Sequence, residues 1–118
     1  MVEIKDKIEI DKYLDKIKNK IIPKISPEKI YLFGSYANND YNNDSDLDLF
    51  FVINNDESPR EIQRKISSLL KDRIMPIDII VCSQERMEKR KDIIGTLPYQ
   101  VNQEGELIYE KPRNKKSK

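Results

Sequence analysis

The chain has 118 residues, enough for one domain with a modest core. Lys and Arg number 22 against 21 Asp and Glu, a formal net charge of +1, so composition gives no general attraction to nucleic acid or to an anionic membrane. No histidine is present, which excludes Ser-His-Asp triads, Cys-His pairs and His-ligated zinc.

The first residues, MVEIKDKIEIDK, carry both signs of charge and lack the apolar stretch of a signal peptide. No apolar run approaches the ~20 residues a membrane-spanning helix requires, so a cytoplasmic protein is expected. Ile10, Leu14, Ile17 and Ile21 fall on one face of a helix, which predicts an amphipathic helix over 3–22, ended by Pro23 and a Ser26-Pro27 turn. Residues 29–33, KIYLF, read as a short strand that stops at Gly34. Asn, Asp, Ser and Tyr fill 38–45, which is loop chemistry; Asp40 and Asp44 suit turns, and Tyr36 and Tyr41 suit loop packing, with base stacking as the alternative.

A second strand, LDLFFVI, follows at 47–53. Ser58-Pro59-Arg60-Glu61 reads as a helix start, with Ser58 as cap, Pro59 in the first turn and Glu61 closing a capping box. Ile62, Ile66, Leu69 and Leu70 give that helix its apolar face, and Met75-Pro76 is expected to end it. A third strand, IDIIVC, occupies 77–82, and Cys82, the single cysteine, reads as a small buried hydrophobe. Ser83 is placed to cap a charged helix to about residue 91, with Glu85 and Glu88 on its solvated side. An irregular or helical piece, a turn at Gly105 and a strand at 106–110 complete the expected domain. The tail, 111–118, has five basic residues and no acidic ones; it reads as a disordered end, with partner or RNA docking as the alternative.

Aspartate is disfavoured in strands, yet Asp46 and Asp48 fall in or beside the second one. Residues two apart share a strand face about 6.6–6.8 Å apart. Leu47, Leu49 and Phe51 therefore point the other way. Two unit charges at that distance repel by ~2.5 kcal/mol at an effective dielectric of ~20. A divalent cation reverses the sign, and all-oxygen ligation suits Mg²⁺ held together with substrate phosphates. The same pattern also suits two aspartates on the solvent side of a half-exposed strand. Gly34-Ser35 lets the backbone approach a ligand closely and is suited to phosphate, although a lone Gly-Ser is also an ordinary turn. Asp78, between Ile77 and Ile79, reaches the Asp46/Asp48 face if the second and third strands are neighbours. Three carboxylates beside a phosphate cradle fit two-metal phosphoryl chemistry.

Gly34-Ser35-Tyr36-Ala37, a loop, Ser45-Asp46-Leu47-Asp48-Leu49, and then Asp78 between isoleucines resembles the DNA polymerase β-type nucleotidyltransferase superfamily. The resemblance covers 29–82 and implies an α/β (α+β) fold, a small mixed β-sheet flanked by helices over 1–110. The short chain is similar to the minimal nucleotidyltransferases, many of which are encoded beside a HEPN-type toxin and act as its antitoxin. Asn38-Asn39 stands where many relatives have Arg-Gly, which removes one basic phosphate contact. By this resemblance Asp46 and Asp48 bridge two Mg²⁺ ions, Asp78 ligates the second ion and accepts the acceptor hydroxyl's proton, and Gly34 and Ser35 hold the terminal phosphates of ATP. Ser45 is expected to cap the turn into the strand rather than to touch substrate. The activity implied is transfer of AMP from ATP to a hydroxyl of a partner protein, a tyrosine of a HEPN-type toxin. Two alternatives stand beside it: a small-molecule acceptor, as in the antibiotic nucleotidyltransferases, and an antitoxin that acts by binding alone. Neither a membrane nor a nucleic acid is an expected partner.

Overall fold

Residues 7–38, 45–54 and 56–112 are described in the computed structural model of the chain. The expected tail from residue 113 onward and most of the Asn/Asp loop, including Asp40, Tyr41 and Asp44, lie outside the described residues.

Helix α1, Lys7–Ile25, buries Ile10, Leu14, Ile17 and Ile21 as its spacing predicts. It runs through Pro23, where a stop was expected. Pro23 removes one helical hydrogen bond, but one more turn buries Ile25 below Ile21, a contact worth about 1.5–3 kcal/mol. The helix ends instead at Ser26, which takes a left-handed φ of 55° and donates its N–H to the Ile22 carbonyl at 2.9 Å. Strand β1, Lys29–Phe33, and a 3₁₀ turn, Gly34–Tyr36, follow.

Strand β2, Leu47–Ile53, leads to helix α2, Pro59–Leu69. The Ser58 hydroxyl accepts the Glu61 N–H at 3.2 Å, and Ile62, Ile66 and Leu70 are buried. This helix stops six residues before Met75. Two of the carbonyls at its end are taken by Arg73, which donates to Leu70 O at 2.7 Å and Ser67 O at 3.1 Å and so favours a turn there. Strand β3, Ile77–Ser83, helix α3, Gln84–Arg90, helix α4, Leu97–Glu104, and strand β4, Glu106–Glu110, complete the chain. Ser83 caps α3 as expected, its hydroxyl accepting the Arg86 N–H at 3.1 Å.

The four strands form one mixed sheet in the order β3-β2-β1-β4, with β2 and β3 parallel and the other pairs antiparallel. Alternation divides it into two faces. Ile30, Leu32, Leu47, Leu49, Phe51, Ile53, Ile77 and Ile79 pack with the apolar faces of α1 and α2. On the other face Tyr31, Phe50, Val52 and Cys82 pack with Met87 of α3 and Val101 of α4. Both sheet edges are blunted by side chains. Gln63 donates to Ile79 O at 2.8 Å on the β3 side, and Lys18 donates to Ile108 O at 3.2 Å near the β4 irregularity. No helix among the described residues is long and apolar enough to cross a membrane.

Candidate active site

Pairing direction assembles the site. Because β2 and β3 are parallel and in register, Asp48 and Asp78 lie side by side, each the second residue of its strand. Strand β1 runs the other way, so its last residue, Phe33, sits across from Asp48 at the same end of the sheet. Gly34-Ser35, Asp46, Asp48 and Asp78 thereby meet at one corner, where β1 ends and β2 and β3 begin. Asp48 and Asp78 share the face that carries Phe50 and Cys82, but α3 and α4 rest farther along it. Asp48 is half-buried, while Asp46 and Asp78 are exposed.

Electrostatics at this corner are unfavourable without a counter-charge. Burial first, then the neighbouring Asp78 and Asp46 carboxylates, hold the Asp48 carboxyl above its ordinary pKa. Gly34 has a φ of +79°, in the region glycine favours, and a Cβ there would collide with Asp48 Oδ2 and lie 3.2 Å from its Cγ. The backbone at the end of β1 is therefore in near contact with the Asp48 carboxylate, and no side chain fits between them. The 3₁₀ turn begins after Phe33, whose ring has no acceptor for the turn's leading N–H groups. Ala37 and Asn38 both donate their N–H groups to Gly34 O, at 3.1 and 3.2 Å, and fix the turn.

The donor set fits a hard divalent cation by chemistry: it offers carboxylate oxygens only, and that of Asp48 is held above its ordinary pKa by burial first and by its acidic neighbours second. The carboxylates are spread across the corner rather than closed into a cage. No group of three or more Asp, Glu, Cys or His side chains among the described residues is gathered closely enough to hold an ion. Mutual repulsion favours that spread.

A family profile described as Polymerase beta, Nucleotidyltransferase matches residues 15–114. The chain belongs to this nucleotidyltransferase family. Two solved structures share the fold at low identity. One is a protein from Sulfolobus solfataricus assigned as a nucleotidyltransferase, 22% identical with a TM-score of 0.56, the match covering 94% of this chain and 93% of that one. The other is a toxin–antitoxin with AMP-PNP, 21% identical with a TM-score of 0.50, covering 86% and 73%. A looser likeness, TM-score 0.43 at 20% identity over 86% and 70%, is to the tri-AMPylated HEPN toxin of Shewanella oneidensis in complex with its MNT antitoxin. A comparison with curated proteins returned no match.

Other residues of the nucleotidyltransferase take the places the sequence suggested, or add to them. Tyr36 is buried in the core, which answers the base-stacking alternative for it. Glu85 and Glu88 are exposed and pair with Lys89 and Lys91 at 3.1 and 3.0 Å. Sequence reasoning missed Phe33, whose ring meets Phe50 edge-on at 6.3 Å on the sheet beside Asp48. It also missed Gln63 and Arg73, which reach the carbonyls flanking Asp78, those of Ile79 at 2.8 Å and Ile77 at a long 3.5 Å. Strand alternation identifies Phe33; nothing local marks the other two, because their role depends on β3 lying at the sheet edge.

Proposed function

We propose that this nucleotidyltransferase moves AMP from ATP to a hydroxyl of a partner protein, a tyrosine of a HEPN-type toxin, and so acts as the antitoxin of a pair. The observation that carries the reading is the in-register placement of Asp48 beside Asp78, with Asp46 two residues before and Gly34 against the Asp48 carboxylate. Family membership supports nucleotidyl transfer as the reaction class. The fold likeness to a toxin–antitoxin with AMP-PNP supports a protein acceptor.

In this reading Gly34 and Ser35 receive the terminal phosphates at the end of β1. Asp46, Asp48 and Asp78 would hold Mg²⁺, which when bound neutralises phosphate charge and favours an ionised acceptor. The acceptor oxygen attacks the α-phosphorus, the bond to pyrophosphate breaks, and Asp78, exposed at the sheet edge, takes the hydroxyl proton. Most of the acceleration comes from positioning and from fixed charge. The domain spans 1–110, with 111–118 as a basic extension, and the place of action is the cytoplasm, where ATP is at hand.

The test is labelling of the co-expressed HEPN-type partner with α-labelled ATP in the presence of Mg²⁺. Labelling is expected with the native chain and absent with Asp46→Asn/Asp48→Asn. Equal labelling by the double variant would refute the assignment.

A further inference from the structure

On the Gly34-Ser35 side of Asp48 lies β1; on its other side lie Asp78 and then the edge of the sheet. With the nucleotide phosphates on the β1 side, the β3 edge is the side of the corner from which an acceptor meets the exposed Asp78. That edge has a distinct character. On the α2 side a hollow of about 310 Å³ is lined by Gln63, Arg64, Ser67, Arg73, Ile77, Asp78 and Ile79. On the α3 side a second hollow of about 250 Å³ is lined by Ser83, Glu85, Arg86, Lys89 and Arg90. Together they gather five cationic side chains, Arg64 and Arg73 beside Asp78 and Arg86, Lys89 and Arg90 beyond Ser83 at the far end of β3, with Asp78 and Glu85 as the acidic residues of the two linings, in a chain whose formal net charge is +1.

Local pairing leaves part of this charge available. Arg64 meets Glu61 at 3.2 Å through one terminal nitrogen, and both are well exposed; Lys89 meets Glu85 at 3.1 Å. Exposed pairs of this kind are weak and readily exchanged. Arg86 and Arg90 are exposed, and both act on the neighbouring Cys82 thiol as positive charges. Strand addition is obstructed along this edge, because Gln63 and Arg73 already occupy the carbonyls of Ile79 and Ile77. A visitor therefore meets side chains. Neither hollow is lined by an aromatic residue on which a base could stack.

We propose that the β3 edge, with the arginines of α2 and α3 on either side, is the docking surface for a polypeptide acceptor bearing carboxylates around its reactive hydroxyl. This rests on the reading of Asp78 as the group that meets the acceptor. Its charge gives orientation and speed of encounter as much as affinity.

The experiment needs neither Mg²⁺ nor ATP, so its failure is separable from failure of the transfer reaction. A tyrosine peptide flanked by glutamates is titrated into the ¹⁵N-labelled full chain at low salt, beside a lysine-flanked peptide and a single-stranded RNA 12-mer. The glutamate peptide is expected to move the amides of Arg64, Ser67, Asp78 and Arg86, and to bind at least tenfold more weakly at 500 mM than at 50 mM salt. Arg64→Glu/Arg86→Glu/Arg90→Glu is expected to reduce its affinity at least tenfold while leaving binding of an ATP analogue unchanged. Shifts centred elsewhere on the wild-type chain overturn the proposal, as does unchanged affinity in the folded triple variant. Tighter binding of the RNA than of the peptide at this edge overturns it in favour of a nucleic-acid surface.

Discussion

Replacing Asp78 by Asn isolates the electrostatic strain in the site. In-register neighbouring strands lie about 4.8 Å apart, which puts the Asp48 and Asp78 carboxylates at roughly 5 Å. Their repulsion is about 3 kcal/mol at an effective dielectric of ~20 and about 0.8 kcal/mol in bulk water. Asp78 is exposed and Asp48 only half-buried, so the lower end governs, and about 1 kcal/mol is expected after screening. Asp48 has its pKa raised in the folded chain, by burial first and by Asp78 second. An acid so shifted holds its proton more tightly when folded. Its penalty is absent below the ordinary carboxylate pKa and grows as pH rises through the raised folded value. Asp78→Asn should therefore raise the melting temperature by about 4 °C at pH 7.5 in EDTA, with the gain fading towards pH 3. Thermal melts followed by circular dichroism across that range read the effect directly. Destabilisation of equal size at every pH would show that Asp78 supports the fold rather than straining it, and the account of the corner would be wrong.

Several other perturbations separate site from scaffold. Millimolar MgCl₂ should raise the melting temperature of the native chain, by the equivalent of about 1.4 kcal/mol at ten times its Kd, and should leave Asp46→Asn/Asp48→Asn unmoved; an equal rise in both would place the ion elsewhere. Gly34→Ala forces a Cβ into a left-handed position and onto the Asp48 carboxylate. It should cost at least about 1–2 kcal/mol and abolish binding of an ATP analogue, measured by calorimetry. Ile66→Ala, in the fully buried face of α2, should cost about 2–5 kcal/mol by urea denaturation and leave nucleotide affinity intact where the domain stays folded. Cys82 is buried, and burial pushes its thiol up, with Arg86 and Arg90 drawing it partly back. Iodoacetamide at pH 8 should therefore modify it slowly in the native chain and quickly in urea; rapid native labelling would contradict its placement.

Local chemistry made much of the fold legible. The runs KIYLF and LDLFFVI became β1 and β2 with the expected bounds, and Ser58 and Ser83 cap the helices they were expected to cap. Two helix ends were misjudged because tertiary contacts decide them. Burial of Ile25 carries α1 past Pro23, and the Arg73 guanidinium lets α2 stop well short of Met75-Pro76. The family pattern was also readable, since Gly34, Asp46, Asp48 and Asp78 are marked by residue type in an unusual setting. Strand order and direction were not, and they alone bring Asp78 beside Asp48. The Gln63 and Arg73 contacts at the sheet edge were hidden for the same reason: each depends on a neighbour far along the chain.

The pairing of Asp48 with Asp78 also bears on how faithfully the sheet assembles. Side chains alternate with a period of two, so sliding β3 by one residue against β2 exchanges its faces. Asp78 would then point among Ile30, Leu49, Ile62 and their neighbours, where an unpaired carboxylate is costly. Ile77 and Ile79 would be turned outward at the same time. A misregistered chain thus loses apolar burial and buries a charge in one movement, so the acidic residue that strains the finished corner also disfavours wrong alignments while the strands are finding each other.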